Sequence, residues 1–208
     1  MRWLIPQLLA GIVLSSLSGG CATTHERSQV RDYLEEATGA SITYVTAPAV
    51  FVNKQPGLAS SGRDYVYLAP LLISSGGERS GWLWLGVWST IDRQVRDDGA
   101  EPLRLGGLQI SADNEPMDLD LQSVDSRPVG VRRIPYATPV PPVQEFIVPV
   151  TRSQLRRLGR ARVLTLTDRQ AGGALRVWRS DEHAVAVLRN LADETGAARP
   201  APDPDDGR

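Results

Sequence analysis

The sequence predicts a mainly β fold: an antiparallel β-sandwich carrying three short peripheral helices. Three observations lead there. From Ser41 onward the apolar pattern runs mostly with period two. Turn signals rich in Gly, Pro, Asn and Asp recur about every ten residues, the spacing of short strands in a sandwich. Two runs, Asp64–Ile73 and Gly81–Thr90, are apolar at both parities, which marks strands covered on both faces and so central in a sheet. With 208 residues the chain reads as one domain plus tails, divided as 1–20, 21–28, a single sandwich domain over 29–196 and a tail over 197–208.

Met1-Arg2 supplies a positive charge, and Leu4 to Leu17 is mostly apolar. That stretch is shorter than the roughly 20 apolar residues of a membrane span and suits a secretory h-region. Ser18-Gly19-Gly20 are small, as a cleavage site requires, and Cys21 follows directly. The run Leu17-Ser18-Gly19-Gly20-Cys21-Ala22-Thr23-Thr24 resembles the lipobox of bacterial lipoproteins, with one departure: Leu17 lies four residues before the cysteine, where the family has its leucine at three. The resemblance implies that 1–20 are a lipoprotein signal peptide, that Cys21 is acylated, and that 21–28 form a lipidated tether. Two or more acyl chains anchor a protein stably where one does not. Ala22 stands where an aspartate favours inner-membrane retention in enterobacterial lipoproteins, so the resemblance implies the outer membrane, facing the periplasm.

Further on, Val30, Tyr33, Leu34 and Ala37 fall at i, i+3, i+4 and i+7, which predicts an amphipathic helix stopped by Gly39 at C′. Ser41–Thr46 and Ala49–Asn53 are β-branched runs separated by Pro48, predicting one bent edge strand or two. Asp64–Ile73 and Gly81–Thr90 flank Gly76-Gly77 as an antiparallel hairpin. Leu108–Ser111 and Met117–Gln122 flank Asp113-Asn114-Glu115-Pro116 as another. Pro128, Pro135, Pro139, Pro141 and Pro142 predict an irregular crossing loop over 126–142, after which Val143–Val150 resumes as a strand. Thr151 with Gln154 three residues on makes a capping box, starting a short helix ended by Gly159. Arg162–Thr167 and Ala174–Arg179 form a hairpin around Gly172-Gly173. The last helix starts near Asp181, with Ser180 as N-cap and Ala184, Val187, Leu188 and Leu191 as its apolar stripe. From Ala197 the Pro- and Asp-rich tail reads as disordered. Taken together, the strands read as an immunoglobulin-like sandwich.

Composition narrows the chemistry. A formal net charge of −1 gives no footprint for a nucleic-acid partner. The 23 basic residues include a single lysine, Lys54, a skew toward arginine that reads as base-composition bias. One cysteine excludes an intramolecular disulfide and a cysteine-built zinc site. The two histidines are His25, in the tether where ångström-level positioning is lacking, and His183, in the first turn of the last helix. No nucleophile elbow, H-E-x-x-H or phosphate loop is present. Catalytic residues, metals and cofactors are therefore not expected.

Three constellations remain, each with a bland competitor. Trp82, Trp84 and Trp88 share parity on one strand with Gly86 between them; they could form a platform for sugar, peptide or lipid, but a central strand favours core. Asp113, Glu115, Asp118 and Asp120 could offer oxygens to calcium, but their spacing matches no calcium loop, and Asp118 and Asp120 alternate as a solvated strand face. Arg152, Arg156, Arg157, Arg160 and Arg162 crowd the short helix, where they could grip phosphate or an anionic partner; charge runs more often are solvated faces.

Beyond the lipobox, Val30-Arg31-Asp32-Tyr33-Leu34 to Gly39, Arg63-Asp64-Tyr65-Val66-Tyr67-Leu68 and Leu83-Trp84-Leu85-Gly86-Val87-Trp88-Ser89-Thr90 resemble stretches of an uncharacterised group of short proteobacterial lipoproteins. That resemblance implies location and brings no activity. The expectation is a non-catalytic, lipid-anchored envelope protein, held to the membrane through acylated Cys21. It binds or scaffolds an envelope assembly, with the arginine face of the Thr151 helix (Arg152, Arg156 and Arg160) and the proline-rich loop over 126–142 as the contact surfaces. The alternative is a small-ligand or glycan-binding module on Trp82, Trp84 and Trp88. A degenerate hydrolase would need an acid or hydroxyl facing His183 across a cleft.

Overall fold

The two-sided apolar runs do form the middle of the sheet. β4 (Arg63–Ser75) and β5 (Glu78–Ser89) pair along their length, from Asp64 opposite Ser89 to Ser75 opposite Glu78. Gly76 and Gly77 join them with φ +59 and +84, the left-handed backbone that a two-residue hairpin turn with the strands' own twist demands. The computed structural model describes residues 29–92, 103, 105, 107–117, 131, 134–169, 175–180 and 182–197. Over these residues the protein is mainly β, one open antiparallel sheet of ten strands with two helices.

The remaining strands are β1 (Val30–Glu35), β2 (Ala40–Val45), β3 (Ala49–Lys54), β6 (Leu108–Ala112), β7 (Glu115–Met117), β8 (Gln144–Val150), β9 (Leu164–Arg169) and β10 (Leu175–Ser180). Their order is β1-β2-β4-β3-β10-β9-β6-β7, with β5 on the other edge of β4 and β8 beyond β5. One edge of β4 serves two partners in succession: Val66 pairs with Phe51 of β3 and Leu72 with Thr43 of β2. Pro48 sits in the link between β2 and β3, and Pro70 faces the gap between them, where a ladder donor would find no acceptor.

Register sorts the side chains. Phe51–Val66–Val87, Leu68–Leu85–Phe146 and Trp178–Leu166–Ile110 line one face of the sheet, and all nine side chains are buried. α1 (Arg152–Arg160) adds Leu155 and Leu158 to this core, and α2 (Glu182–Ala197) adds Ala184, Val187, Leu188 and Leu191, the stripe expected of it. α2 packs on β2, β3, β4 and α1.

Several expectations need correction. The helix over Val30–Ala37 does not exist; Val30–Glu35 is β1, hairpin-paired to β2 with Tyr33 opposite Ile42. Gly39, expected to stop that helix, turns the hairpin with φ +70. Among the described residues there are thus two helices, not three. Gly159 does not end α1 but lies inside it, because a Cβ there would come 2.9 Å from the Arg189 Cα and 3.1 Å from the Ala192 Cβ; its missing side chain lets the helices touch. Ala161 caps the C-terminus instead. In the Asp113–Pro116 hairpin, Asp113 and Asn114 alone make the turn, at φ 52 and 67, and β7 begins at once. Ser180 closes β10 and Gly196 lies within α2. Residues 1–20 with the expected signal peptide, Cys21, His25, Asp118, Asp120, the turn expected at Gly172-Gly173 and the residues beyond Ala197 lie outside the described residues.

Candidate functional site

α1 carries four arginines in nine residues, and its sequence explains where it begins. Thr151 Oγ1 accepts from Gln154 N at 3.2 Å while Gln154 Oε1 accepts from Thr151 N at 2.7 Å, the reciprocal capping box foreseen. Leu155 and Leu158 point inward and the helix carries no acidic residue in its first turn. Arg152, Arg156, Arg157 and Arg160 are all exposed.

Three hollows border this helix. The first, about 540 Å³, has Leu72, Trp82, Val150 and Leu155 as apolar walls and Arg79 and Arg152 at its rim. The second, about 530 Å³, lies between α1 and the β6–β7 hairpin, and Arg156, Arg157 and Arg160 reach into it. The third, about 440 Å³, lies between α1 and α2 and again includes Arg156 and Arg160, with Arg189 and Asp193. Arg152, Arg156 and Arg160 thus all line concave surface. Arg156 and Arg160 do so together, whereas Arg152 serves the separate first hollow.

The acidic hairpin answers part of this charge. Glu115 Oε2 accepts from Arg157 Nη2 at 2.6 Å. Asp113 Oδ1 accepts from the backbone N of Arg162 (2.9 Å) and Val163 (3.0 Å), and Asp113 N donates to Val163 O at 2.9 Å. These carboxylates fasten the hairpin to the end of α1 and are not arranged around a cation. Among the described residues no cluster of His, Cys, Asp or Glu could hold a metal.

The tryptophans divide. Trp84 and Trp88 are core, 2% and 7% exposed. Trp84 stacks on Tyr136 with centroids 5.1 Å apart, and its Nε1 donates to Glu145 Oε1 at 2.8 Å. Gly86 is needed beneath it, since a Cβ would meet the indole at 2.7 Å. Trp88 stacks on Tyr65 at 4.2 Å. Trp82 alone is half-buried, and its Nε1 donates to Ser80 Oγ at 2.8 Å beside the first hollow.

Comparison with protein-family models, curated proteins and solved structures finds no match. The chemistry must therefore be read from the side chains themselves. Exposed guanidiniums at concave surface bind carboxylates and phosphates, through planar, bidentate hydrogen bonds. Sequence reasoning missed several participants. Tyr136, from the proline-rich loop, carried no periodic signal. Arg79 sits in a turn-adjacent strand position. Asp64 and Asp168 are fully buried, yet in sequence they stand among polar residues. Asp64 accepts from Ser89 Oγ at 2.8 Å, joining β4 to the end of β5, and Asp168 accepts from Gly107 N at 2.8 Å, tying a loop to β9. His183 is exposed on α2. No helix among the described residues is long and apolar enough to cross a membrane.

Proposed function

We propose that this protein is a lipid-anchored lipoprotein of the cell envelope that works by contact and not by catalysis, docking an acidic surface of an envelope assembly on the arginine face of α1. One observation carries the reading: all three hollows described are lined by α1, and its exposed arginines reach each of them. Arginine is enriched at interfaces, and a helix held by a capping box loses little further freedom on binding. Cys21 would hold the domain at the outer membrane, facing the periplasm. The finer description proposed for this β fold is an immunoglobulin-like sandwich, on the sequence pattern of short strands separated by turn signals about every ten residues.

The test is capture from detergent-solubilised envelopes. Arg152→Gln, Arg156→Gln and Arg160→Gln together keep helix propensity and remove exposed charge that contributes little to stability. The variant should melt within a few degrees of wild type yet lose the partner, and salt should release that partner from wild type. An unchanged capture profile, or a wild type that captures nothing above an unrelated lipoprotein, refutes the reading.

A second reading keeps one foothold. Trp82 lines the first hollow, whose volume of about 540 Å³ falls in the range of ligand pockets, about 300–1,000 Å³. A small ligand or glycan would stack there on Trp82; Trp84 and Trp88 are too buried to take part.

A further inference from the structure

We infer that the chain self-associates through β1, two copies pairing edge to edge as antiparallel strands with Tyr33 opposite Tyr33. Among the described residues the sheet ends on three strands, β7, β8 and β1. Two of these edges are blunted in the ways proteins use against unwanted pairing. β7 has three residues and contains Pro116. β8 contains Pro149, and its Gln144 side chain accepts from Leu105 N at 2.7 Å. β1 is six residues long and has no proline, glycine or lysine.

Hydrogen-bond alternation shows what β1 offers. Thr46 N donates to Gln29 O at 2.8 Å, so the hydrogen-bonded rungs to β2 continue at Arg31–Tyr44, Tyr33–Ile42 and Glu35–Ala40. The backbone groups of Val30, Asp32 and Leu34 therefore face the outer edge. Centring a second, antiparallel copy on Tyr33 puts Asp32 on a rung with Leu34 of that copy, and Arg31 directly opposite its Glu35. By symmetry the same pairs recur on the other side of the two tyrosines. Centring on Arg31, Asp32 or Glu35 sets like charges face to face, and centring on Leu34 sets Asp32 against Glu36. The Tyr33 register alone matches opposite charges, and opposed charges on facing strands stabilise while like charges repel. It also covers Leu34, which at 62% is the most exposed large apolar side chain described. The surface is separate from the arginine face of α1, so either inference can fail without the other.

The experiment uses the full-length chain in envelope membranes. In this register the two Tyr33 Cα atoms form a non-hydrogen-bonded pair about 4.5 Å apart, inside the range a disulfide spans. Tyr33→Cys under mild oxidation should yield a linked species of twice the monomer mass, beyond whatever wild type yields through Cys21. Adding Arg31→Glu should abolish that species, and adding Glu35→Arg as well should restore it. Sedimentation in detergent, free of the cysteine substitution, should give dimer, monomer and dimer for wild type, Arg31→Glu and the double reversal. A monomeric wild type, a linked species indifferent to Arg31→Glu, or a double reversal that fails to recover while melting like wild type overturns the inference.

Discussion

A proline in the middle of a sheet leaves backbone groups without strand partners, and Pro70 shows how one residue from elsewhere can supply them. β3 reaches Leu68 and β2 begins at Leu71, so the Pro70 carbonyl faces a break. The Tyr136 hydroxyl enters it, donating to Pro70 O at 3.0 Å and accepting from the Val45 backbone. Tyr136→Phe should cost about 1–3 kcal/mol, the penalty for buried groups left unmade. Burial pushes the Tyr136 hydroxyl well above the ordinary tyrosine range, which is about 10. The folded chain keeps a proton that the unfolded chain releases, so this stabilisation is complete below about pH 10 and declines as pH rises further. Tyr33 and Tyr67, raised chiefly by burial, act with the same sign. Urea midpoints from pH 9 to 11 should therefore fall less steeply in Tyr136→Phe than in wild type; parallel curves would contradict the assignment. Nothing in the sequence announced Tyr136, because a loop residue's partners are set by tertiary packing. Trp84 and Trp88 were legible as core, since alternation on a two-sided apolar strand fixes their burial.

At the scale of elements, legibility followed length and sidedness. β4 and β5 could be read because long runs apolar at both parities have few alternatives. β1 could not. Its apolar residues Val30, Tyr33 and Leu34, with Ala37 just beyond it, fit a helical stripe as well as six residues of edge strand. The partner that decides, β2, acts through backbone hydrogen bonds that leave little mark on side-chain pattern. α1 was read almost to the residue from its capping box, except at Gly159, where close helix contact mimics a stop signal. α2 is the element whose energetic role is sharpest. Leu188 and Leu191 are fully buried and the helix spans three strands and α1. Leu188→Ala should cost about 2–5 kcal/mol, and a chain ending at Ser180 should not show a cooperative melt near that of wild type. If the shortened chain melts at an unchanged temperature, α2 is an appendage and the packing account is wrong.

For the whole molecule, what matters is how the proposed anchor and the proposed docking face would cooperate. Gln29, the first described residue, stands eight positions after Cys21, and eight extended residues reach about 27 Å. On the proposed anchoring, the Gln29 end of the domain would stay within that reach of the bilayer, and tethering would raise the effective concentration of α1 toward any partner fixed in the same membrane. Two consequences separate anchor from contact. Radiolabelled palmitate should enter wild type and not Cys21→Ala, and the variant should move from the membrane fraction to osmotic-shock fluid. Capture of the partner inside intact cells should fall in Cys21→Ala, while the same variant, purified and added at saturating concentration to solubilised envelopes, should bind as wild type does, because Arg152, Arg156 and Arg160 are unchanged. Equal labelling of both proteins, or a wild type found in the shock fluid, would remove the anchor. Loss of binding by the purified variant would mean instead that the lipid itself forms part of the interface, and the arginine face would no longer suffice as the docking surface.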